Sequence, residues 1–261
     1  MSGYGAEFGS IYDMLARKYD LFNEEVDHAA MAEFFLRGAK KFSKAPKTAL
    51  DLCCGTGSML LALCEKGIDM QGVDLSADML AVARDRVSEA GYNNVLLLCQ
   101  DMRSFELYGT VDAITCCLDS LNHLSSAKEL KEVFALVCNY LEYGGVFYFD
   151  LNSKYKYENV YGNNCYVLED EGTYCGWQNF YDPKSGKVDF VITVFEEQPD
   201  GSYTRQDAVQ REKCFSERTV RSALKAAGLE LCGIYGDTDF SPPTEESERL
   251  YFFAKRPHPA K

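Results

Sequence analysis

The chain has 261 residues, 46% of them hydrophobic, which is enough for one large domain, or one domain with a subdomain, around a sizeable core. Its 27 basic and 40 acidic residues give a net charge of −13, which argues against nucleic acid as a partner because phosphate backbones bind through lysine and arginine. No apolar stretch approaches the length that crosses a bilayer, and the first residues lack the basic and apolar regions of a signal peptide.

Two helices are predicted near the start of the chain. In residues 8–22 the side chains of Ile11, Leu15 and Phe22 fall near one helical stripe. A second helix is expected from Val26 to Lys40, ahead of the first strand.

A glycine turn follows the first buried strand. The strand is Thr48–Leu52, and Gly55 and Gly57 form a Gly-x-Gly turn before an amphipathic segment. In an open α/β sheet, nucleotide-like ligands bind at such a turn. The dinucleotide fingerprint needs a third glycine where Leu60 stands, and the Asp51 carboxylate would repel a pyrophosphate. The turn therefore favours a cationic ligand. The alternative is that Asp51 and the two glycines of the loop have only a structural role.

The next two apolar runs also end in acids. Met70–Asp74 leads into a helix opened by Ser76, and Val95–Leu98 leads to Asp101. Asp74 comes about 20 residues after the glycine turn, the spacing at which an acid accepts hydrogen bonds from ribose hydroxyls. The alternative role for Asp74 is an acid at a helix start, favoured by the helix dipole. A fourth strand begins at Val111, and a fifth is expected over Gly144–Asn152.

Residues 45–155 together resemble the class I S-adenosylmethionine (SAM)-dependent methyltransferases. The resemblance implies an α/β fold with a Rossmann-like, seven-stranded mixed sheet whose last strand is reversed. It also implies a SAM site, with S-adenosylhomocysteine as product. In this family the acid at the position of Asp101 meets the adenine amino group, and Met102 would lie against the ring. The implied cofactor-binding residues are Tyr12, Tyr19, Asp51, Cys53, Cys54, Gly55, Gly57, Asp74, Leu75, Met79, Asp101, Met102, Cys117 and Leu118.

The N-terminal tyrosines are similar to a segment that many small-molecule methyltransferases fold over the cofactor. Tyr12 and Tyr19 each precede an aspartate, as in that segment, and residues 1–45 are expected to form a helical cap. The alternative is that these tyrosines pack a helix on the edge of the sheet.

An antiparallel β insertion is predicted after the fifth strand. Strands are expected over Thr173–Tyr181, Lys187–Phe195 and Ser202–Lys213, separated by Pro- and Gly-containing turns. Glycine N-methyltransferase-like and sugar-amine N-methyltransferase-like relatives carry such an insertion as a lid. We therefore expect a methyltransferase domain over residues 1–151 and 216–261 and a lid over residues 152–215. Trp177 of the lid is expected either to pack or to line the substrate pocket.

The last elements complete the expected sheet. Ser216 is predicted to cap a helix that runs through Ala227 and stops at Gly228. Two strands, Leu229–Tyr235 and Arg249–Lys255, then give the closing antiparallel hairpin of the family.

His123 is the expected catalytic residue. It follows the fourth strand, where a substrate would meet the methyl group, and an amine must lose its proton before it attacks. Sugar-amine N-methyltransferases have Gly-His-Leu here, whereas this chain has Asn122-His123-Leu124. The alternative is a histidine that caps the loop or bonds a carbonyl. Asp119 is expected to bind substrate by holding an ammonium group, or else to bind the methionyl moiety.

The sequence thus predicts a SAM-dependent methyltransferase of small molecules, with N-methylation ahead of O- or C-methylation. The alternatives are a non-catalytic SAM-binding module and, further behind, a nicotinamide-dependent oxidoreductase. The eleven cysteines show no Cys-x-x-Cys pairs, so we expect no metal site and reduced thiols in a cytoplasmic protein. Neither nucleic acid nor a membrane is expected as a partner, and a homodimer is left open.

Overall fold

The computed structural model of the chain describes residues 26–170 and 172–259, without the side chain of residue 170. In chain order its elements are α1 (His28–Phe42), β1 (Thr48–Leu52), α2 (Ser58–Glu65), β2 (Asp69–Asp74), α3 (Ala77–Glu89), β3 (Leu96–Cys99), β4 (Val111–Cys116), a 3₁₀ helix (Ser120–His123), α4 (Ala127–Tyr140), β5 (Leu141–Asn152), a π-helix (Lys156–Tyr161), β6 (Cys165–Asp170), β7 (Thr173–Asp182), β8 (Lys187–Glu197), β9 (Tyr203–Lys213), α5 (Glu217–Ala226), β10 (Glu230–Tyr235) and β11 (Arg249–Lys255).

The main sheet has seven strands in the order β10-β11-β5-β4-β1-β2-β3. Strands β1 to β5 pair in parallel, so their carboxyl ends meet at one edge of the sheet. β11 runs antiparallel to β5, which confirms the predicted seven-stranded mixed sheet with a reversed last strand. Because chain order reverses between β1 and β4, the crevice between these strands is where such sheets bind their ligands.

Both faces of the main sheet are covered by helices and form separate cores. Phe147 and Phe149 of β5 pack with Phe134 of α4 on one face. Between them, Tyr148 points to the opposite face, where it packs against Phe34 of α1. This alternation of side chains along a doubly covered strand explains why β5 reads as a nearly continuous apolar run.

The inserted segment forms a second sheet of four antiparallel strands, β6-β7-β8-β9. The three predicted strands are confirmed, and β6 is an additional strand that the sequence analysis did not identify. One face of this sheet has its own core, in which Val188, Phe190 and Ile192 of β8 pack with Tyr157 of the π-helix. We call this four-stranded sheet the small sheet.

Local signals at the helix ends are also confirmed. The Ser76 hydroxyl accepts a 3.2 Å hydrogen bond from the Met79 N–H at the start of α3. Ser216 does the same for Thr219 at the start of α5, at 3.2 Å. The predicted helix in residues 8–22, with Tyr12 and Tyr19, lies outside the described residues. None of the described helices is long and apolar enough to cross a membrane.

Candidate active site

The glycine turn after β1 depends on left-handed backbone. Gly55 has φ of +53° and Gly57 has φ of +83°, a region that glycine enters without steric cost. A Cβ on Gly57 would lie 3.1 Å from Cβ of Ala83, so the turn packs tightly on α3. A Cβ on Gly55 would meet nothing within 4 Å. Gly57 therefore serves helix packing, whereas Gly55 leaves open space beside a ligand.

Asp74 ties the end of β2 to this turn. Its Oδ2 accepts a hydrogen bond of 2.8 Å from the Gly55 N–H, and its Oδ1 accepts one of 2.9 Å from the Ser76 N–H. Each carboxylate oxygen can accept more than one hydrogen bond. Asp74 is thus held in place at the edge where the glycine turn lies.

Asp51 is a buried carboxyl group beside the same turn. It is 2% exposed, and Oδ1 accepts a 2.6 Å hydrogen bond from the hydroxyl of Thr115 on β4. Burial raises the pKa of Asp51 to about 7, and the negative charge of Asp74 adds to the effect. The hydrogen bonds from Thr115 and the Leu60 backbone only partly offset this effect, so a cation bound next to Asp51 would stabilise its ionised form.

A cavity opens between the glycine turn and the segment after β4. Its lining includes six predicted cofactor residues, namely Asp51, Cys53, Cys54, Gly55, Cys117 and Leu118, together with His28, Thr56, Ser58, Met59 and Ser120. The lining of the cavity thus combines an acid, glycine backbone and small thiol side chains. This donor set fits the cationic amino acid part of SAM and does not fit a pyrophosphate.

The third strand brings Asp101 and Met102 to the same edge. The Met102 sulfur lies 3.9 Å from the Cys53 sulfur, so the segment after β3 contacts the glycine turn. Asp101 accepts hydrogen bonds from Nε and the backbone N–H of Arg103, at 2.9 and 2.8 Å. The side-chain bond from Arg103 is the main reason that the pKa of Asp101 lies below its ordinary value. Asp101 is therefore ionised and oriented by its neighbour.

Leu75 and Met79 differ in exposure. The Leu75 side chain is 67% exposed at the carboxyl end of β2. Met79 is buried in the first turn of α3. Leu75 is thus available to a flat ligand, whereas Met79 supports the turn from beneath.

The segment after β4 is held by a buried ion cluster. Leu118 and Asp119 both have φ of +54°, and their N–H groups each donate a 2.8 Å hydrogen bond to the Asp150 carboxylate on β5. Arg249 of β11 donates to Asp150 and, at 2.7 Å, to Oδ1 of Asp119. Burial alone would raise the pKa of Asp119, but the charge of Arg249 keeps it below the ordinary value.

His123, the last residue of the 3₁₀ helix, is half-buried and contacts β9 of the small sheet. Burial lowers the pKa of His123, while the charge of Asp119 opposes that shift, so the ring is neutral at pH 7. Nε2 of Gln210 on β9 lies 2.5 Å from Nδ1 of His123. With this side-chain amide assigned as the donor, Nδ1 accepts and the ring proton sits on Nε2.

Asn122, next to it, joins the two sheets. Its side-chain nitrogen donates a 2.8 Å hydrogen bond to the Lys213 carbonyl at the end of β9. Its side-chain oxygen accepts a 3.0 Å bond from the Asn152 N–H at the end of β5. The residue that replaces the glycine of the Gly-His-Leu stretch is thus a bridge between β5 and β9.

Trp177 lies on the inward face of the small sheet. Its ring packs edge-on against Phe190 at 5.6 Å between centroids and lies 6.2 Å from Tyr161. Its indole N–H is buried without a hydrogen-bond acceptor in the described residues. Trp177 therefore packs within an aromatic group. The same group includes Tyr161, which lies on the side of the ion cluster.

Four charged or polar site residues were missed by the sequence reading, namely Asp150, Lys156, Glu212 and Arg249. Asp150 ends a predicted strand in an acid, as Asp74 does, so its signal was present. Glu212, Gln210 and Ala208 alternate along β9 and lie on one face of that strand. The alternation is visible in the sequence, but the residues that Glu212 contacts cannot be read from it. The position of Arg249 follows only from the register of β11 against β5.

Comparison with known proteins gives consistent results. A family model described as a methyltransferase domain matches residues 49–145. A putative methyltransferase of Bacillus subtilis (strain 168) is 33% identical over 208 residues, which are 79% of this chain and 83% of the relative. The crystal structure of a SAM-dependent methyltransferase from Clostridium acetobutylicum ATCC 824 superposes with a TM-score of 0.83 at 30% identity, covering 95% of this chain and all of that one. The sugar N-methyltransferase of Streptoalloteichus sp. ATCC 53650 gives a TM-score of 0.76 at 25% identity, covering 99% and 97%.

Proposed function

This chain belongs to the SAM-dependent methyltransferase family, and we propose that its methyl acceptor is the amine nitrogen of a small molecule. The observation that carries the proposal is the partly buried, acid-lined site formed by the segment after β4 and by β9. Asp119 and Glu212 supply carboxyl oxygens there, and the ring of His123 is neutral. Carboxyl groups in a desolvated site attract a cationic ammonium group. The similarity to a sugar N-methyltransferase over nearly the whole chain, small sheet included, supports the same choice.

The cofactor placement follows from the strand ends. When bound, SAM supplies a methyl group activated by its sulfonium. We assign Asp74 to the ribose hydroxyls, because the Gly55 N–H holds its carboxylate at the glycine turn. Asp51 would pair with the cationic amino group, and Asp101 with the adenine amino group, between Met102 and the exposed Leu75. The chain's own contribution is to position the acceptor, since displacement on an activated donor depends largely on alignment.

His123 is assigned an orienting role towards the acceptor. Its Nδ1 is engaged by Gln210, which fixes the ring and directs the Nε2 proton away from that contact. Held in this way, the ring would form one wall of the acceptor site, next to Asp119 and Glu212. Trp177 would contribute through its packing on Tyr161, which forms part of the wall of this site.

We further propose the domain division expected from the sequence. The small sheet, within residues 152–215, would act as a lid, because its β9 carries Gln210 and Glu212 into contact with the segment after β4. Residues 1–151 and 216–261 would form the methyltransferase domain. The eleven cysteines are all free thiols in the structure, which supports a reducing compartment such as the cytoplasm.

An acceptor panel tests the proposal. Radiolabelled methyl transfer from SAM is measured with glucosamine, 3-amino-3-deoxyglucose and glycine, and with glucose as the matched compound without an amine. We expect transfer to at least one amine and none to glucose. Transfer to hydroxyl compounds alone would overturn the amine assignment while leaving the methyltransferase family intact.

A further inference from the structure

The inserted small sheet carries an acid into the acceptor site. Glu212 lies near the end of β9, and its carboxylate oxygen, an Asp119 carboxylate oxygen and a His123 ring nitrogen all lie within 4.8 Å of one another. Asp119 and His123 come from the segment that follows β4, some ninety residues earlier in the chain. The three side chains therefore meet only when the two sheets are packed together.

Glu212 is held in a defined orientation through one of its oxygens. The Tyr157 hydroxyl donates a 2.5 Å hydrogen bond to Oε2, and the Asn152 side-chain nitrogen lies 3.5 Å from the same atom. The side chain is 7% exposed. Among the described residues no hydrogen bond reaches the other oxygen, Oε1. Oε1 is therefore the oxygen that is open to a ligand, and a carboxylate oxygen can accept a hydrogen bond there.

His123 is less suited than Glu212 to accept a proton. Its neutral ring has one basic nitrogen, and this Nδ1 already accepts the hydrogen bond from Gln210. Protonation there would break that bond and create a cation in a half-buried site. Glu212 instead gains a proton at an oxygen that is not otherwise engaged, and it becomes neutral when it does so.

The charges around Glu212 come from several packed elements. Burial raises the pKa of Glu212 to about 8, and the charge of Asp119 adds to this, whereas Tyr157, Asn152 and Arg249 oppose it. In the described part of the chain, the ionisable groups around the cluster are Asp119, His123, Asp150, Lys156, Tyr157, Tyr161, Glu248 and Arg249. Arg249 is already paired with Asp119 and Asp150, and no ion pair joins Glu212 to any cation among the described residues.

We propose that Glu212 binds the ammonium group of the acceptor and takes up its proton. The N–H bond of R–NH₃⁺ breaks, the proton moves to Oε1, and neutral R–NH₂ and neutral Glu212 result. The nitrogen lone pair is then available for methyl transfer, and the Glu212 proton later returns to solvent. This role rests on the proposed function, since it needs an amine acceptor.

A divalent metal ion at the same three side chains is the competing occupant. The guanidinium of Arg249 lies 2.7 Å from Asp119, and the Lys156 ammonium lies near it as well. Because Arg249 and Lys156 already place two positive charges next to the cluster, binding of a third cation that carries two charges is disfavoured. The structure therefore favours a singly charged ammonium group over a metal.

A binding experiment tests Glu212 without requiring turnover. Cyclohexylammonium, with cyclohexanol as its neutral counterpart, is titrated calorimetrically into protein saturated with S-adenosylhomocysteine at pH 9. We expect Glu212→Gln to weaken cyclohexylammonium binding at least tenfold and to leave cyclohexanol binding unchanged. Glu197→Gln, at the exposed end of β8, should behave as wild type. Equal affinity of wild type and Glu212→Gln, or no binding to wild type, would overturn the proposal.

The pH dependence of that affinity separates proton binding from a structural role. In wild type the affinity should rise as the pH passes about 8 and Glu212 ionises, whereas Glu212→Gln should show no such rise. Tyr157→Phe removes a donor to the carboxylate and should move the midpoint to higher pH. A rise that is the same in all three proteins would contradict the assignment. Binding that requires added Mg²⁺ or Mn²⁺ and is lost with EDTA would show a metal site instead.

If Glu212 fails these tests while glucosamine or glycine is methylated, only the role of Glu212 is wrong. If ammonium binding depends on Glu212 but no amine is methylated, the amine acceptor in the proposed function is wrong. The two failures therefore give different results.

Discussion

The backbone N–H of Gly55 donates a 2.8 Å hydrogen bond to Oδ2 of Asp74, so the turn after β1 and the acid that ends β2 form one unit. Because β1 and β2 are parallel neighbours, both arrive at the same edge of the sheet. The bond orients the carboxylate and joins two motifs that are separate in the sequence. A change at either residue should therefore affect cofactor binding.

Replacing Asp74 with alanine should weaken SAM binding by about 1–3 kcal/mol, the cost of leaving ligand hydroxyls without their acceptor. Calorimetric titration with SAM measures this directly. Asp78→Ala, an exposed acid in the first turn of α3, is the matched control and should bind as wild type. Unchanged affinity in Asp74→Ala would mean that the ribose lies elsewhere.

The SAM affinity of the wild type should fall as the pH drops below about 7. Asp51 has a pKa of about 7 in the free protein, so at lower pH it must lose a proton before it can pair with the cationic amino group. The loss should approach about tenfold per pH unit, the limit for one linked proton. Titrations from pH 5 to 7 on wild type and Asp51→Asn check this, and a slope that persists in the variant would assign it to another group.

Gly57→Ala should destabilise the protein more than Gly91→Ala. Both glycines have left-handed φ, +83° and +87°, which costs an alanine about 1–2 kcal/mol. Only at Gly57 does the new Cβ also press on Ala83, at 3.1 Å, so a further loss of about 1 kcal/mol is expected. Urea unfolding of both variants measures the difference, and equal losses would show that α3 moves aside freely.

Arg249→Met should lower the free energy of unfolding by about 3 kcal/mol or more, because it leaves the buried carboxylates of Asp150 and Asp119 without their cation. Arg221→Met, which removes an exposed pair with Glu217 on α5, should change stability by less than about 1 kcal/mol. Denaturant unfolding compares the two. Similar small effects would indicate that water reaches Asp150.

Much of the fold could be predicted because it follows from local patterns. A few adjacent residues are enough to predict an element, as in the apolar run of β1, the acid at Asp74 and the Ser76 cap. The small sheet was predicted in three of its strands for the same reason. The π-helix Lys156–Tyr161 was missed because its tyrosines and charged residues follow no helical period. β6 was missed because its apolar run is short and shows no strand alternation.

Only the part of the candidate site that comes from a single chain segment could be predicted. Asp119 and His123 lie four residues apart and were both identified. Glu212 and Arg249 reach the same site because β9 and β11 each pair with other strands. That pairing depends on tertiary packing, and no residue pattern near Asp119 predicts it. The residues missed are therefore those that other elements contribute to the site.

The central claim is that this chain moves the methyl group of SAM to an amine nitrogen. The most direct test uses SAM with a ¹³C-labelled methyl group, glucosamine, 3-amino-3-deoxyglucose and glycine as acceptors, and a ¹H–¹³C correlation spectrum of the products. We predict a labelled methyl signal at the chemical shift of an N-methyl group. A signal at the shift of an O-methyl or C-methyl group, or label that stays in SAM with every amine, would contradict the account.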